Sequence, residues 1–309
     1  MEKASPQSCF VAGDESKLNK SLKEVLPTPF RAALRDLRAA LLSVGLPSEN
    51  GFDQPENERE ASQEMSVVVA ICDGPEVARR CLASLELYAP KSEVILIDDG
   101  STLPETQRLI EEYRSRDSWT VIRHDTPRGH SRACEAGARL ATRPYLCLLN
   151  SDTVVSPWSW QAAKEAFESD EGIAITGPST SQAQTPQTIR RAQLCRHYWS
   201  DTQIWAFARQ YISKLPPRSW VDLPDIAGFA FFVRRTMWQE LGGFDVNLPD
   251  YGNECEFCKR VAARGWRMAW TQNSYIHHFG NQTYGRLGQS VIQSLTRAAQ
   301  AYIDDKYSR

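Results

Sequence analysis

No run of this chain is apolar for long enough to span a bilayer, so an integral membrane protein is not expected. The opening residues Met1-Glu2-Lys3-Ala4-Ser5-Pro6 lack the apolar core of a signal peptide, and from this a cytoplasmic location is expected. There is no long basic run and the formal net charge is only -2, which argues against a general nucleic-acid binder. No internal repeat is visible. Cysteine is too sparse for a small disulfide-stapled scaffold: eight residues spread over 309 read as reduced core thiols. Cys255-x-x-Cys258 has no second cysteine pair at zinc-finger spacing, which argues against a metal or redox motif there. What is present, 41% hydrophobic and 24% charged residues, is enough to bury a substantial core in one large or two interlocked subdomains.

The apolar runs carry a βαβ rhythm. Ser66-Val67-Val68-Val69-Ala70-Ile71 reads as a buried strand, Pro75 to Leu87 as an amphipathic helix, and Val94-Ile95-Leu96-Ile97 as a second buried strand. The second strand runs into Asp98-Asp99-Gly100-Ser101-Thr102, where a carboxylate can accept the imide N–H of uracil or a ribose hydroxyl. Trp119 to His124 forms a third segment, followed by Arg128-Gly129-His130-Ser131-Arg132, whose arginines and helix start suit phosphate. Tyr145 to Leu149 is the next strand, and it ends abruptly in Asn150-Ser151-Asp152. Polar groups leaving the carboxyl ends of successive parallel strands mark a ligand crevice. A carboxylate such as Asp152 there can hold Mg²⁺ or Mn²⁺ against a diphosphate, because hard cations prefer oxygen ligands. Taken alone, Asn-Ser-Asp is more often an ordinary turn or helix-cap triplet.

The flanks differ in character. Leu22 to Leu46 holds a helical pattern with Phe30, Leu34, Leu37, Leu41 and Leu42 against Arg31, Arg35 and Arg38, and Pro47 to Gln63 reads as a polar, acidic linker. Such a helix either packs on the main domain or contacts a partner or a membrane surface. Pro178 to Pro224 is rich in Gln, Thr, Arg and aromatics. Its Trp199, Trp205 and Trp220 could stack on an acceptor, although scattered tryptophans more often belong to a core. Phe229 to Val233 reads as a strand, Arg235 to Leu241 as a short helix, Asn253 to Arg264 as a helix, and Ser274 to His277 as a short strand.

From about Ser66 to Gly285 the chain resembles the family 2 glycosyltransferases of the GT-A fold. The matching pieces are the Asp98-Asp99-Gly100-Ser101-Thr102 turn, the Gly129 to Gly137 helix, Asn150-Ser151-Asp152 in place of the Asp-x-Asp motif, and Gly242-Gly243-Phe244-Asp245. Asn253-Glu254-Cys255-Glu256 stands where the family presents a Glu-Asp-x-Asp helix, and His277-His278-Phe279-Gly280 where it has a late metal-binding histidine. The departures are Asn150 for the first Asp of the motif, Glu135 for a frequent Asn, and Asn253-Glu254 for Glu-Asp.

The resemblance implies a Rossmann-like doubly wound, mostly parallel sheet with a smaller mixed acceptor-side subdomain. It divides the chain into an N-terminal helical extension and linker (1–63), a catalytic domain (64–285) and a C-terminal helix (286–309). It implies donor binding by Ile71, Asp73, Asp98, Gly100 and Arg128, together with Gly129, Arg132, Asn150, Ser151 and Asp152. Mg²⁺ or Mn²⁺ would lie on Asp152 and on His278 or His277. Gly228 and Phe229, with the three tryptophans, would face the acceptor, and Glu254 would be the general base. The implied reaction moves a sugar from a UDP- or dTDP-type nucleotide sugar to a hydroxyl of a glycan, peptide or small molecule, with inversion. A sugar-phosphate nucleotidyltransferase should instead open with a Gly-rich loop bearing Arg and Lys, where this chain has Cys72-Asp73-Gly74-Pro75. An inactive carbohydrate-binding relative would lose its base and metal ligands; Asn150 and Asn253 point that way, whereas Asp152, Glu254 and His278 do not. Neither the sugar nor the oligomeric state follows from the sequence.

Overall fold

The computed structural model describes residues 52–197, 199–280 and 288–308. Four strands form its parallel half: β1 (Met65–Ile71), β2 (Glu93–Asp99), β3 (Trp119–His124) and β4 (Tyr145–Asn150). Their spatial order is β3-β2-β1-β4, so the chain reverses direction across the sheet between β1 and β4. Helices α2 (Pro75–Tyr88), α3 (Pro104–Tyr113) and α4 (His130–Ala138) are the connections. Both faces of β1, β2 and β4 are covered, which is why they read as continuous apolar runs and not as alternating ones.

Side-chain alternation sorts the strand residues into two cores. Val67, Val69 and Ile71 pack with Trp160, Trp199 and Trp205 on one face; Val68, Ile95 and Leu148 pack with Trp238 and Phe257 on the other. Beyond β4 the sheet turns mixed. β8 (Ala230–Arg234) runs antiparallel to β4 and to β6 (Ile173–Ser179), and β9 (Arg267–His278) lies parallel to β6. β5 (Thr153–Val155) and β7 (Trp220–Leu223) both pair antiparallel with β9.

Two sequence expectations change, for the linker and for the cysteines, and a stretch left unassigned gains elements. The acidic linker contains a helix, α1 (Glu56–Gln63), held because buried Glu58 accepts the N–H groups of Trp160 (2.7 Å) and Gln161 (3.0 Å). In doing so it caps α5 (Gln161–Ser169). The stretch 178–224 folds into α6 (Arg190–Cys195), α7 (Asp201–Ile212) and β7, with Ser200 and Gln203 forming a capping box on α7. Not every cysteine is a free thiol: Cys72, Cys81, Cys134, Cys147, Cys195 and Cys258 are, but Cys255, on the partly exposed side of its helix, is disulfide-bonded. The helical pattern at 22–46 lies outside the described residues. Among the described residues no helix is long and apolar enough to cross a membrane.

The C-terminal part is completed by α8 (Arg235–Leu241), α9 (Asn253–Ala262) and α10 (Gln289–Tyr307). Helix α10 rests on the start of α9, where Ala299 and Ile303 crowd the Cα of Gly252. Below it, Lys306 bonds both Asp245 (2.7 Å) and Glu256 (2.8 Å).

Candidate active site

Strand β4 releases Asn150, Ser151 and Asp152 into a tight turn, and the chain returns at once as β5. The β5–β9 ladder sets Thr153 opposite His278 and Val154 opposite His277, while the Phe279 N–H donates to the Asp152 carbonyl (2.9 Å). That register brings His278 beside Asp152, its Nε2 3.2 Å from Oδ1. The other ring nitrogen, Nδ1, donates to the Gln182 carbonyl (2.6 Å), and the ring stacks on Phe229 with centroids 5.3 Å apart. Burial pulls the His278 imidazole down, but the Asp152 charge and hydrogen bond, with the Gln182 carbonyl, outweigh it, and the net shift is upward.

His277 faces the opposite side of β9, as strand alternation requires. Its Nδ1 meets the Tyr275 hydroxyl (2.9 Å) and its Nε2 the Arg196 carbonyl (2.9 Å), and burial lowers its pKa to about 3. Both nitrogens are occupied in the core, so no metal role is assigned to it.

Glu254 stands in the first turn of α9, just after Gly252, whose φ of 76° lets the chain enter the helix abruptly. A Cβ on Gly228 would overlap the Glu254 carboxylate, so the glycine ahead of β8 is what makes room for the acid. Burial pushes the Glu254 carboxyl up, and the charge of His130 partly offsets this. Asn253 turns away and donates to the Ser131 hydroxyl (2.9 Å), joining α9 to α4. Glu256 is wholly buried and accepts from Arg260 (2.9 Å), Lys306 (2.8 Å) and the Tyr307 hydroxyl (2.9 Å), a structural role.

Asp152, His278 and Glu254 line one cleft of about 290 Å³. Ile71, Asn150, Ser151, Asp152, Gly228, Phe229, Glu254 and His278 all contribute to its wall. Other residues of the sequence expectation lie elsewhere. Asp98 is buried beneath the turn, accepting the Ser101 N–H (2.8 Å) and the Arg123 guanidinium, while its neighbour Asp99 reaches the cleft. Asp99 accepts the N–H groups of Arg128 (3.0 Å) and Gly129 (3.0 Å) and contacts His124 Nδ1 (2.7 Å). Asp73 caps α3 through Thr102 (3.0 Å) and Leu103 (2.9 Å). Gly100, at φ 70°, packs against the Thr126–Pro127 peptide. Arg128 and Arg132 line a separate groove with Phe244 and Val246. Trp199 and Trp205 are core residues and Trp220 lies on β7 opposite Thr271; none of the three lines the cleft, because the inner face of the sheet claims them first.

Sequence reasoning missed Asp99, His130, Asp225 and Asp250 as cleft residues. Strand alternation could have separated Asp99 from Asp98, but the others sit on loops or helix starts with no periodic signal. Among the described residues the lining holds five carboxylates, Asp99, Asp152, Asp225, Asp250 and Glu254, and no Lys or Arg.

Residues 66–242 match the model of Glycosyl transferase family 2. The chain belongs to this family. Asp152 lies within the matched segment of the glycosyltransferase, and Glu254 and His278 lie beyond its end. The chain is 25% identical to the O-antigen biosynthesis protein RfbC of Myxococcus xanthus over 87% of its own length, but spans only 22% of that protein. It is 22% identical to the N-acetylglucosaminyl-diphospho-decaprenol L-rhamnosyltransferase of Mycobacterium tuberculosis, covering 78% of this chain and 84% of the relative. Among solved structures it is similar to GalNAc-T7 with UDP, GalNAc and Mn²⁺ (TM-score 0.54, 18% identity, 90% of this chain and 56% of that one). It is also similar to the mannosyltransferase PcManGT of Pyrobaculum calidifontis in complex with GDP-Man and Mn²⁺ (TM-score 0.50, 15% identity, 80% and 66%). At these identities the structural likeness establishes the fold, GT-A.

Proposed function

We propose that this family 2 glycosyltransferase moves a sugar from a UDP- or dTDP-type nucleotide sugar to an acceptor hydroxyl, inverting the anomeric configuration. The observation that carries the reading is the convergence of the Asp152–His278 pair and Glu254 on one cleft walled by carboxylates. An anionic diphosphate would be repelled from such a wall unless a cation accompanied it. The donor set fits one: a carboxylate and an imidazole suit Mn²⁺ or Mg²⁺ completed by substrate oxygens and water. His278 is oriented as a ligand should be, since a carbonyl on Nδ1 fixes the ring and leaves Nε2 toward Asp152. When bound, such an ion offsets the charge that develops on a departing diphosphate.

The protein's own residues do the rest. Glu254 is desolvated and held against Gly228, which favours taking a proton from an acceptor hydroxyl. The freed oxygen bonds the anomeric carbon on the face opposite the leaving group, and the bond to the diphosphate breaks. Phe229 and the Gln182 carbonyl keep the His278 ring in place. The loop after β1, Cys72-Asp73-Gly74-Pro75, has no Arg or Lys for nucleotidyl transfer, and a non-catalytic relative would have no need of Glu254.

The test is nucleotide diphosphate release from UDP-, dTDP- and GDP-sugars with and without Mn²⁺, with the product anomer read by NMR. Mn²⁺-dependent release with inversion is expected. No binding of any nucleotide sugar, or a retained configuration, would overturn the proposal.

A further inference from the structure

We infer that Asp225 is a specificity-determining residue that accepts hydrogen bonds from an uncharged sugar unit on the acceptor side of the cleft. The inference rests on the donor-and-acceptor reading above. Four of the five lining carboxylates already have work. Asp99 holds the Arg128–Gly129 loop, Asp152 faces His278, Asp250 accepts the His130 N–H (3.3 Å), and Glu254 sits against Gly228. Among the described residues no hydrogen bond reaches the half-buried Asp225 carboxylate. Burial pushes its carboxyl up, and the charge of Lys259 offsets part of that. A desolvated carboxylate without donors is costly, and a cleft is where a ligand can supply them.

Its placement is fixed. Asp225 stands three residues before Gly228, on the strip of chain that runs onto Glu254. Buried Gln187 pins that strip: its Oε1 accepts the Ala227 N–H (2.9 Å) and the Thr185 hydroxyl (2.8 Å), while its Nε2 donates to the Pro178 carbonyl (2.9 Å). The same amide thereby ties the loop bearing exposed Gln184, another lining residue, to the wall bearing Asp225. A carboxylate accepts from two hydroxyls of a sugar ring, and an amide both donates and accepts. Among the described residues the wall offers no Lys or Arg to compensate a negative group near the reacting hydroxyl, so an anionic unit there is disfavoured.

The experiment uses protein saturated with UDP and Mn²⁺, whose binding is measured first by calorimetry. Ligand-observed NMR then compares methyl glycosides with the matching methyl glycosiduronates, in the gluco, galacto and manno series. The neutral member of at least one pair should bind about tenfold tighter, the scale of one like-charge contact screened by water. Asp225→Asn should shrink that ratio below about twofold while UDP binding persists. Asp225→Ala gives the same readout should the Asn variant not fold. Equal binding within every pair, no binding of any glycoside, or an unchanged ratio in the variant would overturn the inference. Loss of UDP binding by the wild-type protein would instead overturn the donor site itself.

Discussion

The Cα of Gly228 lies so close to the Glu254 carboxylate that any side chain at 228 must displace the acid. Gly228→Ala should therefore act as a mutation of the proposed base, Glu254, without touching it. Turnover should fall about 100-fold, the cost of a small misplacement of a reacting group. Calorimetric affinity for UDP with Mn²⁺ should stay within about twofold.

Glu254 and Glu256 are two residues apart on α9 and should separate cleanly. Glu254→Gln should keep donor binding and lower turnover by roughly 10²–10⁴-fold. Glu256→Gln should keep the chemistry but cost about 3 kcal/mol, because it leaves Arg260 and Lys306 facing a neutral partner in a buried network. Denaturant melts and steady-state assays of both variants decide this; near-normal turnover in Glu254→Gln would place the base elsewhere.

The two adjacent histidines offer a third contrast. His278→Ala and Asp152→Asn should each remove most of the Mn²⁺ dependence of UDP binding. His277→Ala should leave that dependence intact and lower the melting temperature, because its ring bridges Tyr275 and Arg196 in the core. Titrations of UDP with and without Mn²⁺ read the difference.

Glu58 should make stability fall as pH rises. Burial lifts its carboxyl from 4.5 to about 7 against the opposing effect of the Trp160 and Gln161 N–H groups. The folded state thus holds a proton that the unfolded chain releases. The associated stability is fully present below about pH 4.5 and is lost as pH rises through about 7, on the order of 3 kcal/mol in all. Glu58→Gln should flatten that part of the stability–pH curve in urea melts; an unchanged slope would refute the assignment.

The parallel half of the fold was legible because buried strands leave unbroken apolar runs and α2 leaves a helical period between them. Asp152 and Glu254 could be located in the fold for a related reason: each lies within two residues of the end or start of an element whose pattern is strong. The choice between His277 and His278 was not legible. It depends on β9 being twelve residues long and on its pairing with β5, a contact more than a hundred residues away along the chain. The tryptophans misled because aromatic content does not say which side of a helix, strand or loop meets the core. Asp225 left no periodic trace, since it lies in the loop between β7 and β8.

Helix α10 carries a practical consequence for anyone preparing this protein. It covers Gly252 with Ala299 and Ile303 and neutralises Glu256 with Lys306, so it is the outer wall of the helix that presents Glu254. A recombinant fragment cut where the recognisable family segment stops, at residue 242, would lose α9 altogether, and one cut after His278 would keep α9 but leave it without its backing. The smallest piece worth expressing extends through Tyr307.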